Sequence, residues 1–425
     1  MTQSAPSIHR EVLANGVRLL TEPMPHVRSA SLGVWLARGS RHEPPAHAGI
    51  AHFVEHMLFK GSATRTAEDI AQAIDSIGGQ MDAFTSKEYA GYYFKVLDAH
   101  LPRALDVLAD LVLHPAFRPE DIAREQKVVV EEIKMVDDTP DDLVHELFAA
   151  QFWEAHALGR PILGSKASVE ALTAAALHDY FASAYVAPHL VVAAAGHVDP
   201  TDIRALVESR FGALPAMVES LAAAPPRIVP HVLVHQKDLE QGHVCLGVEA
   251  FAHDHPDRHA SYVLNTLLGG AMSSRLFQTI RERHGLAYAV YSGFTAYRDS
   301  GSFTVYAGCA NEAVRDVVSL VADELRRLVR EPVAHEELQR AKDHMLGSVV
   351  LGLEGTSSRM THIARQEIYG EHALGYDEAL AGIAAVTQED LQRVATDLFG
   401  RGRLSATVLG DVEGLTLGDS ELALQ

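Results

Sequence analysis

Three short segments of this 425-residue chain recur, in the same order, about two hundred residues further on. Ser31-Leu32-Gly33-Val34 has a counterpart in Cys245-Leu246-Gly247-Val248. HFVEHMLFKG at 52–61 aligns with SYVLNTLLGG at 261–270, and FRPEDIARE from Phe117 aligns with VAHEELQRA from Val333, with Arg124 opposite Arg340. The offsets are 214, 209 and 216. A repeat of that period limits the fold to two copies of one unit of ~200 residues, a normal domain size. The stretch Leu214–Pro230 carries four prolines and little periodicity, which reads as the linker between them. Domains are therefore expected at 1–220 and 228–425.

Each half mixes strands and helices. VRLLTEPM and SASLGVWLARGS alternate as strands do, QMDAFTSKEYAGYYFKVL reads as a strand pair, and LVVAAAGH near 190–197 reads as a buried strand. Helical patterns fill most of 48–75 and 102–153. The expected class is α+β. Apolar residues make up 47% and charged residues 22%, as in ordinary globular proteins. A formal net charge of −20 argues against nucleic acid as a partner. No apolar run approaches the ~18 residues of a membrane span. The opening MTQSAPSIHREVL lacks the apolar core of a secretory signal. The two cysteines, Cys245 and Cys309, sit in strand-like runs and read as buried reduced thiols. A cytoplasmic location is the resulting expectation. One deviation remains, 24 histidines, and it directs attention to metal ligands.

The sharpest pattern is His52-Phe53-Val54-Glu55-His56, inside a helical stretch from Ile50 to Phe59. Residues four apart share a helix face, so both imidazoles point the same way, and Glu55 lies on that face as well. Two neutral imidazoles supply half of a tetrahedral zinc site. A carboxylate beside them can act as a general base on water without itself binding metal. The order HxxEH inverts the commoner HExxH zinc helix. A third ligand is needed. PEDIAREQKVVVEEIKMV from Pro119 reads as a helix on which Glu125 and Glu132 are two turns apart. Val128 and Val129 flank that face, which is expected to turn inward. A carboxylate facing a core requires a partner. Glu132 is assigned as the third zinc ligand. Glu125 is assigned to orient a ligand histidine, and the rival Glu131 points ~100° away. Three protein ligands leave one position for water, the pattern of catalytic rather than structural zinc, and zinc lowers the pKa of such a water to about 7.

The repeat sharpens this reading. The positions matching His52, Glu55, His56 and Glu132 are Ser261, Leu264, Asn265 and Ser348. The copy lacks every residue of the site, so one half does the chemistry and the fold does not require those side chains.

AHFVEHMLFKGSATR, GGQMDAFTSKEYAGYYFKVL and EQKVVVEEI together resemble the pitrilysin (insulinase) family of zinc peptidases. The likeness is closest to its short branch, which contains mitochondrial processing peptidase β-subunits and bacterial relatives. The 75 residues between His56 and Glu132 agree with the family's interval, and GGAMSSRLFQTIRERHGLAYAVYSGF resembles its C-terminal signature. The resemblance implies two α/β-roll halves closing like a clamshell on a peptide chamber, the LuxS/MPP-like metallohydrolase fold. It implies one Zn2+ per chain and a peptide substrate. It implies a homodimer, or a heterodimer with a related subunit. It implies that Arg281 and Tyr288 form an arginine–tyrosine pair that stabilises the developing oxyanion and holds the substrate backbone. It also implies a substrate-binding edge strand at Asp82-Ala83-Phe84-Thr85, to which a peptide adds by strand pairing. Many relatives have Asn where this chain has Asp82. Phe53 has two readings, the wall of the site or plain helix packing.

Other signals read as structure. His253, His255 and His259 fall in a turn-like segment, FAHDHPDRHASY. Gly269-Gly270 lacks the lysine of a phosphate loop. Ser273 and Ser274 have no local triad partners. The span 311–330 has the periodicity of a packed surface helix. Two alternatives to a catalytic zinc peptidase stand beside it: a non-catalytic peptide-binding subunit, and a zinc hydrolase acting on something other than peptides. Manganese or cobalt could replace zinc in vitro.

Overall fold

The structure, a computed structural model, describes residues 8–216, 225–370 and 376–425. Residues 217–224 of the expected linker lie outside the described residues, and the described parts of 214–230 contain no helix or strand.

The strands are β1 (His9–Val12), β2 (Arg18–Pro23), β3 (Ser29–Leu36), β4 (Gln80–Thr85), β5 (Ala90–Leu97), β6 (Leu190–Gly196), β7 (Val232–Gln236), β8 (Gln241–Ala250), β9 (Ala287–Ala296), β10 (Gly301–Ala310) and β11 (Ser405–Gly410). The helices are α1 (Ile50–Leu58), α2 (Ala67–Asp75), α3 (Leu101–Leu113), α4 (Pro119–Asp138), α5 (Pro140–Phe152), α6 (Lys166–Glu170), α7 (Ala174–Ala184) and α8 (Pro200–Phe211). The later helices are α9 (Arg258–Leu268), α10 (Val314–Arg330), α11 (His335–Gly352), α12 (Thr356–Tyr369), α13 (Tyr376–Ala385), α14 (Gln388–Phe399) and α15 (Asp419–Leu422). None of the described helices is long and apolar enough to cross a membrane.

The chain divides into two compact units. Unit 1 comprises 1–134, 160–223 and 352–375, and unit 2 comprises 135–159, 224–351 and 376–425. Each is built on one sheet. The first runs β1-β2-β6-β3-β5-β4 and the second β7-β11-β8-β10-β9. Without β1 the two orders are the same. In both, the second strand in the order runs parallel to the first and antiparallel to the third. In both, a hairpin ends the sheet, with β4 or β9 at the edge. The internal repeat of the sequence is thus a repeat of topology.

Helices cover both faces of each sheet, which explains the central strands. β6 (LVVAAAG) and β11 (SATVLG) are buried at every position, as continuous apolar runs must be when neither face meets water. In unit 1 the main core joins β3, β5 and β6 to α1, α3, α7 and α8. On the other face, Leu20, Trp35, Val191, Ala193 and Ala195 pack against Met360, Ile363, Ala364 and Ile368 of α12. The small alanines leave room for that helix. Polar anchors fix it: Arg10 forks onto Glu367 at 2.8 and 2.9 Å, and Arg359 reaches buried Glu22 at 2.6 Å. Unit 2 repeats the scheme. Val314, Val317, Val318, Val321, Leu325 and Leu328 of α10 enter its main core, as their helical spacing predicts. Phe148 and Phe152 of α5 cover the other face with Cys245, Tyr306 and Leu409. Cys245 and Cys309 are free and buried, in β8 and β10. His253 and His255 lie in the turn before α9, and His259 lies in the helix itself.

Candidate metal and active site

The site of unit 1 begins with the amphipathicity of α1. Ile50, Phe53, Val54, Met57 and Leu58 recur at three- and four-residue spacing and are buried. The opposite face, with His52, Glu55 and His56, must then look away from the core. Phe53 is wholly inside the core and offers no accessible surface to a peptide, which leaves it the packing role alone. α4 brings the partners. Glu125 is buried and Glu132 half-buried, whereas Glu131 is 68% exposed and pairs with Lys134. The expected inward face of α4 is narrower than its sequence suggests. Val129 is fully buried, but Val128 is 44% exposed. One residue is ~100° of helix, enough to carry Val128 past the edge of the buried stripe.

His52, His56 and Glu132 are the one group of three or more metal-capable side chains that converges among the described residues; their donor atoms all lie within 4.8 Å of one another. Glu132 Oε2 is 3.8 Å from His52 Nε2 and 3.6 Å from His56 Nε2. These distances are too long for hydrogen bonds. They match an ion between the atoms: tetrahedral donors at about 2.1 Å from zinc stand about 3.4 Å apart. Two imidazole nitrogens and a carboxylate oxygen also suit zinc chemically. The residues present therefore fit the metal.

The surroundings tune these groups. His56 Nδ1 and Glu125 Oε1 are hydrogen-bonded at 2.8 Å, which leaves Nε2 facing the other ligand atoms. Glu125 is shared with Lys60, whose Nζ lies 2.7 Å from Oε2. Burial would raise the Glu125 carboxyl, but its bonds to His56 and Lys60 hold it below the usual carboxylate range. Burial would lower His56, but Glu125 and the charges of Glu132 and Glu55 leave it above its ordinary value. His52 goes the other way. Burial, then the neighbouring His56, lowers it to about 3, so its ring is neutral and can donate a lone pair. Its Nδ1 is buried and pairs with no described group. Burial lifts Glu55 above the usual carboxylate range, which makes it a better proton acceptor once ionised.

Glu55 is also tied to the edge strand. Thr85, at the end of β4, donates its hydroxyl to Glu55 Oε2 at 2.5 Å. β4 pairs with β5 on one side and with no described strand on the other. Asp82 is exposed on it, accepts from Tyr93 Oη at 2.9 Å and caps the Ala83 N–H at 2.9 Å. Ala83 and Phe84 pack as partly buried residues in the cores beneath the strand.

Arg281 and Tyr288 lie in unit 2. Arg281 belongs to a π-helical turn, Phe277–Arg283, and its guanidinium sits 4.7 Å from both the Phe277 and the Tyr288 ring centroids. Tyr288 is the second residue of the edge strand β9 and is 78% exposed.

Sequence reasoning missed Lys60 and the contact between Thr85 and Glu55. Lys60 had a signal, since it stands four residues after His56, but only the fold shows that Glu125 is what it meets.

A family model described as "Insulinase (Peptidase family M16)" matches residues 18–166, and one described as "Peptidase M16 inactive domain" matches 171–345. All the metal-capable residues fall in the first match. An uncharacterized zinc protease of Streptomyces coelicolor is 43% identical over 96% of this chain and 90% of its own length. An uncharacterized zinc protease of Bacillus subtilis is 41% identical over 92% of this chain and 96% of its own. Among solved structures, a protease from Helicobacter pylori is 22% identical, with a TM-score of 0.88 over 95% of this chain and 99% of that one. The peptidase M16 inactive domain from Pseudomonas fluorescens, also 22% identical, has a TM-score of 0.90 over 97% and 100%.

Proposed function

This chain belongs to the insulinase (M16) family of peptidases, and from that premise we propose that it is a zinc-dependent endopeptidase with one Zn2+ per chain, cutting peptides or unfolded segments at a site in unit 1. The observation that carries this reading is the convergence of His52, His56 and Glu132 beside Glu55, a carboxylate outside the ligand group. The description of 171–345 as an inactive domain does not weigh against it, because the four residues lie outside that match.

His52, His56 and Glu132 would hold the ion, and Glu125, steadied by Lys60, would fix the His56 ring. Bound zinc would supply Lewis acidity, polarising the scissile carbonyl and acidifying a water. Glu55 takes the proton of the attacking water on one carboxylate oxygen and delivers it to the leaving amine. Thr85 holds the other oxygen and so sets the direction from which Glu55 works. The free side of β4 offers backbone donors and acceptors to an extended substrate. Backbone pairing favours peptides over other hydrolysable substrates.

The test is hydrolysis of an internally quenched peptide library by purified protein beside Glu55→Gln. The variant is expected to bind zinc and to lose at least ~10²-fold in rate. Equal cleavage by both proteins would remove Glu55 from the mechanism. Zinc binding without cleavage by the wild type would favour a peptide-binding subunit that works with a related partner.

A further inference from the structure

We propose that Glu43 is a positioning residue for the metal-binding helix, a role that rests on the peptidase reading of the site. Glu43 lies nine residues before His52 and outside every motif that defines the site. Its side chain is 4% exposed. Its carboxylate accepts the Gly49 N–H on Oε2 and the Ala51 N–H on Oε1, both at 2.8 Å. Gly49 is the N-cap of α1 and Ala51 precedes His52 directly. One carboxylate thus clamps the first turn of the helix that carries His52, Glu55 and His56.

The clamp substitutes for a cap that this helix cannot have. A helix start is ordinarily satisfied by Ser, Thr, Asp or Asn at the N-cap. Here the N-cap is in the left-handed region, at φ +94°, and a Cβ on it would meet the Leu163 carbonyl oxygen at 2.6 Å. A Cβ on Gly164 would meet the Ala48 carbonyl oxygen at 2.3 Å. The chain at 163–164 therefore lies directly against 48–49, and any side chain at either point would push the helix away. α1 has no acidic residue in its first turn either. Glu43 supplies from a distance the acceptors that the helix start lacks.

The arrangement is braced from outside. Arg160 donates to the Glu43 carbonyl at 3.2 Å, Lys87 donates to the Arg160 carbonyl at 2.5 Å, and Ser168 donates to the Ala48 carbonyl at 2.7 Å. A nine-residue helix held at its first turn has little freedom to rotate about its axis. Rotation is the motion that would most disturb His52 and His56 relative to Glu132 on α4. Burying a carboxyl group is costly, and burial pushes this one up to about 7.

The test uses the full-length protein as wild type, Glu43→Gln and Glu43→Asp, stripped of metal and reloaded. Gln keeps the shape but turns an NH2 towards one of the two N–H donors. Asp keeps the charge but is one methylene too short to reach both. Zinc affinity is measured by competition with a chromophoric chelator. Ligand geometry is read from the visible spectrum of the cobalt-loaded protein, and kcat and KM from a quenched peptide. The expected result for each variant is a kcat lower by ~10-fold or more with KM within about twofold, a changed cobalt spectrum and weaker zinc binding. A folded Glu43→Gln protein with wild-type zinc affinity, cobalt spectrum and kcat would overturn the proposal. If Glu43→Gln does not fold, Glu43→Asp decides by the same measures. Absence of hydrolysis by the wild type would sink the peptidase reading instead, and the zinc and cobalt comparisons would still judge Glu43.

Discussion

The two units place corresponding helices on corresponding sheets and use the same positions in opposite ways. On α1, His52, Glu55 and His56 look away from the core; the two imidazoles face Glu132, and Glu55 accepts from Thr85. On α9, the matching Ser261 donates to the Asp257 carbonyl at 3.0 Å, Leu264 is fully buried, and Asn265 Oδ1 accepts from Ser292 at 2.7 Å. The matching position on α11, Ser348, donates back to the His344 carbonyl at 2.9 Å. In unit 2 each of the polar side chains at these positions makes a hydrogen bond within the unit. Unit 1 leaves Glu132 Oε2 3.8 and 3.6 Å from the two imidazole nitrogens, where hydrogen bonds would have closed to about 3 Å. The contrast teaches that the fold is indifferent to these residues. What unit 1 places there is what the proposed chemistry would use.

The largest expected effect breaks the comparison at its centre. Replacing Glu132 by Gln should abolish stoichiometric zinc, because a neutral amide is a poor zinc ligand. Glu131→Gln, one residue away, and Asn265→Ala, the counterpart of His56 in unit 2, should each leave one zinc per chain. Metal analysis after dialysis checks all three. Loss of zinc in the Glu131 variant would move the third ligand to that residue.

A second measurement concerns Glu43, which faces Arg160 and Lys87 and is pushed up to about 7 chiefly by burial. Its folded value lies above the unfolded one, near 4.5. The contribution is therefore fully present below about pH 4.5 and is lost as pH rises through about 7. In a chelator, denaturant melts of the wild type should lose ~3 kcal/mol against Glu43→Gln between pH 4.5 and pH 8. A difference that does not change with pH would mean that the carboxylate ionises in the fold as easily as in the unfolded chain.

The smallest effect sharpens the role of Lys60. Lys60→Met leaves Glu125 with His56 alone and should weaken zinc binding or activity by ~10-fold, the low end for outer residues of a metal site. Chelator competition checks it. An unchanged affinity would make the contact with Glu125 a surface ion pair of no consequence.

Much of this was legible in the residues. The repeat is visible at offsets of 214, 209 and 216 because two sheets of one topology need similar strand and helix patterns at similar spacing. The face of α1 is legible because helix geometry turns the spacing of His52, Glu55 and His56 into one direction. The same rule put Glu125 and Glu132 together, but it could not fix the width of the buried stripe, and Val128 lies outside it.

What only the tertiary structure decided are the contacts between segments distant in the chain. An apolar face announces that a helix is covered, not what covers it. Nothing in the sequence around α12 says that it lies on the sheet of unit 1, nor around α5 that it lies on the sheet of unit 2. The bond from Thr85 to Glu55 joins residues thirty apart, and Lys60 reaches Glu125 across sixty-five. Glu43 reads as an ordinary charged residue until Gly49, forced into the left-handed region and pressed against Leu163, leaves α1 without a cap of its own. Local periodicity fixes directions along one element. Which atoms meet is fixed by how elements pack, and packing is a property of the whole chain.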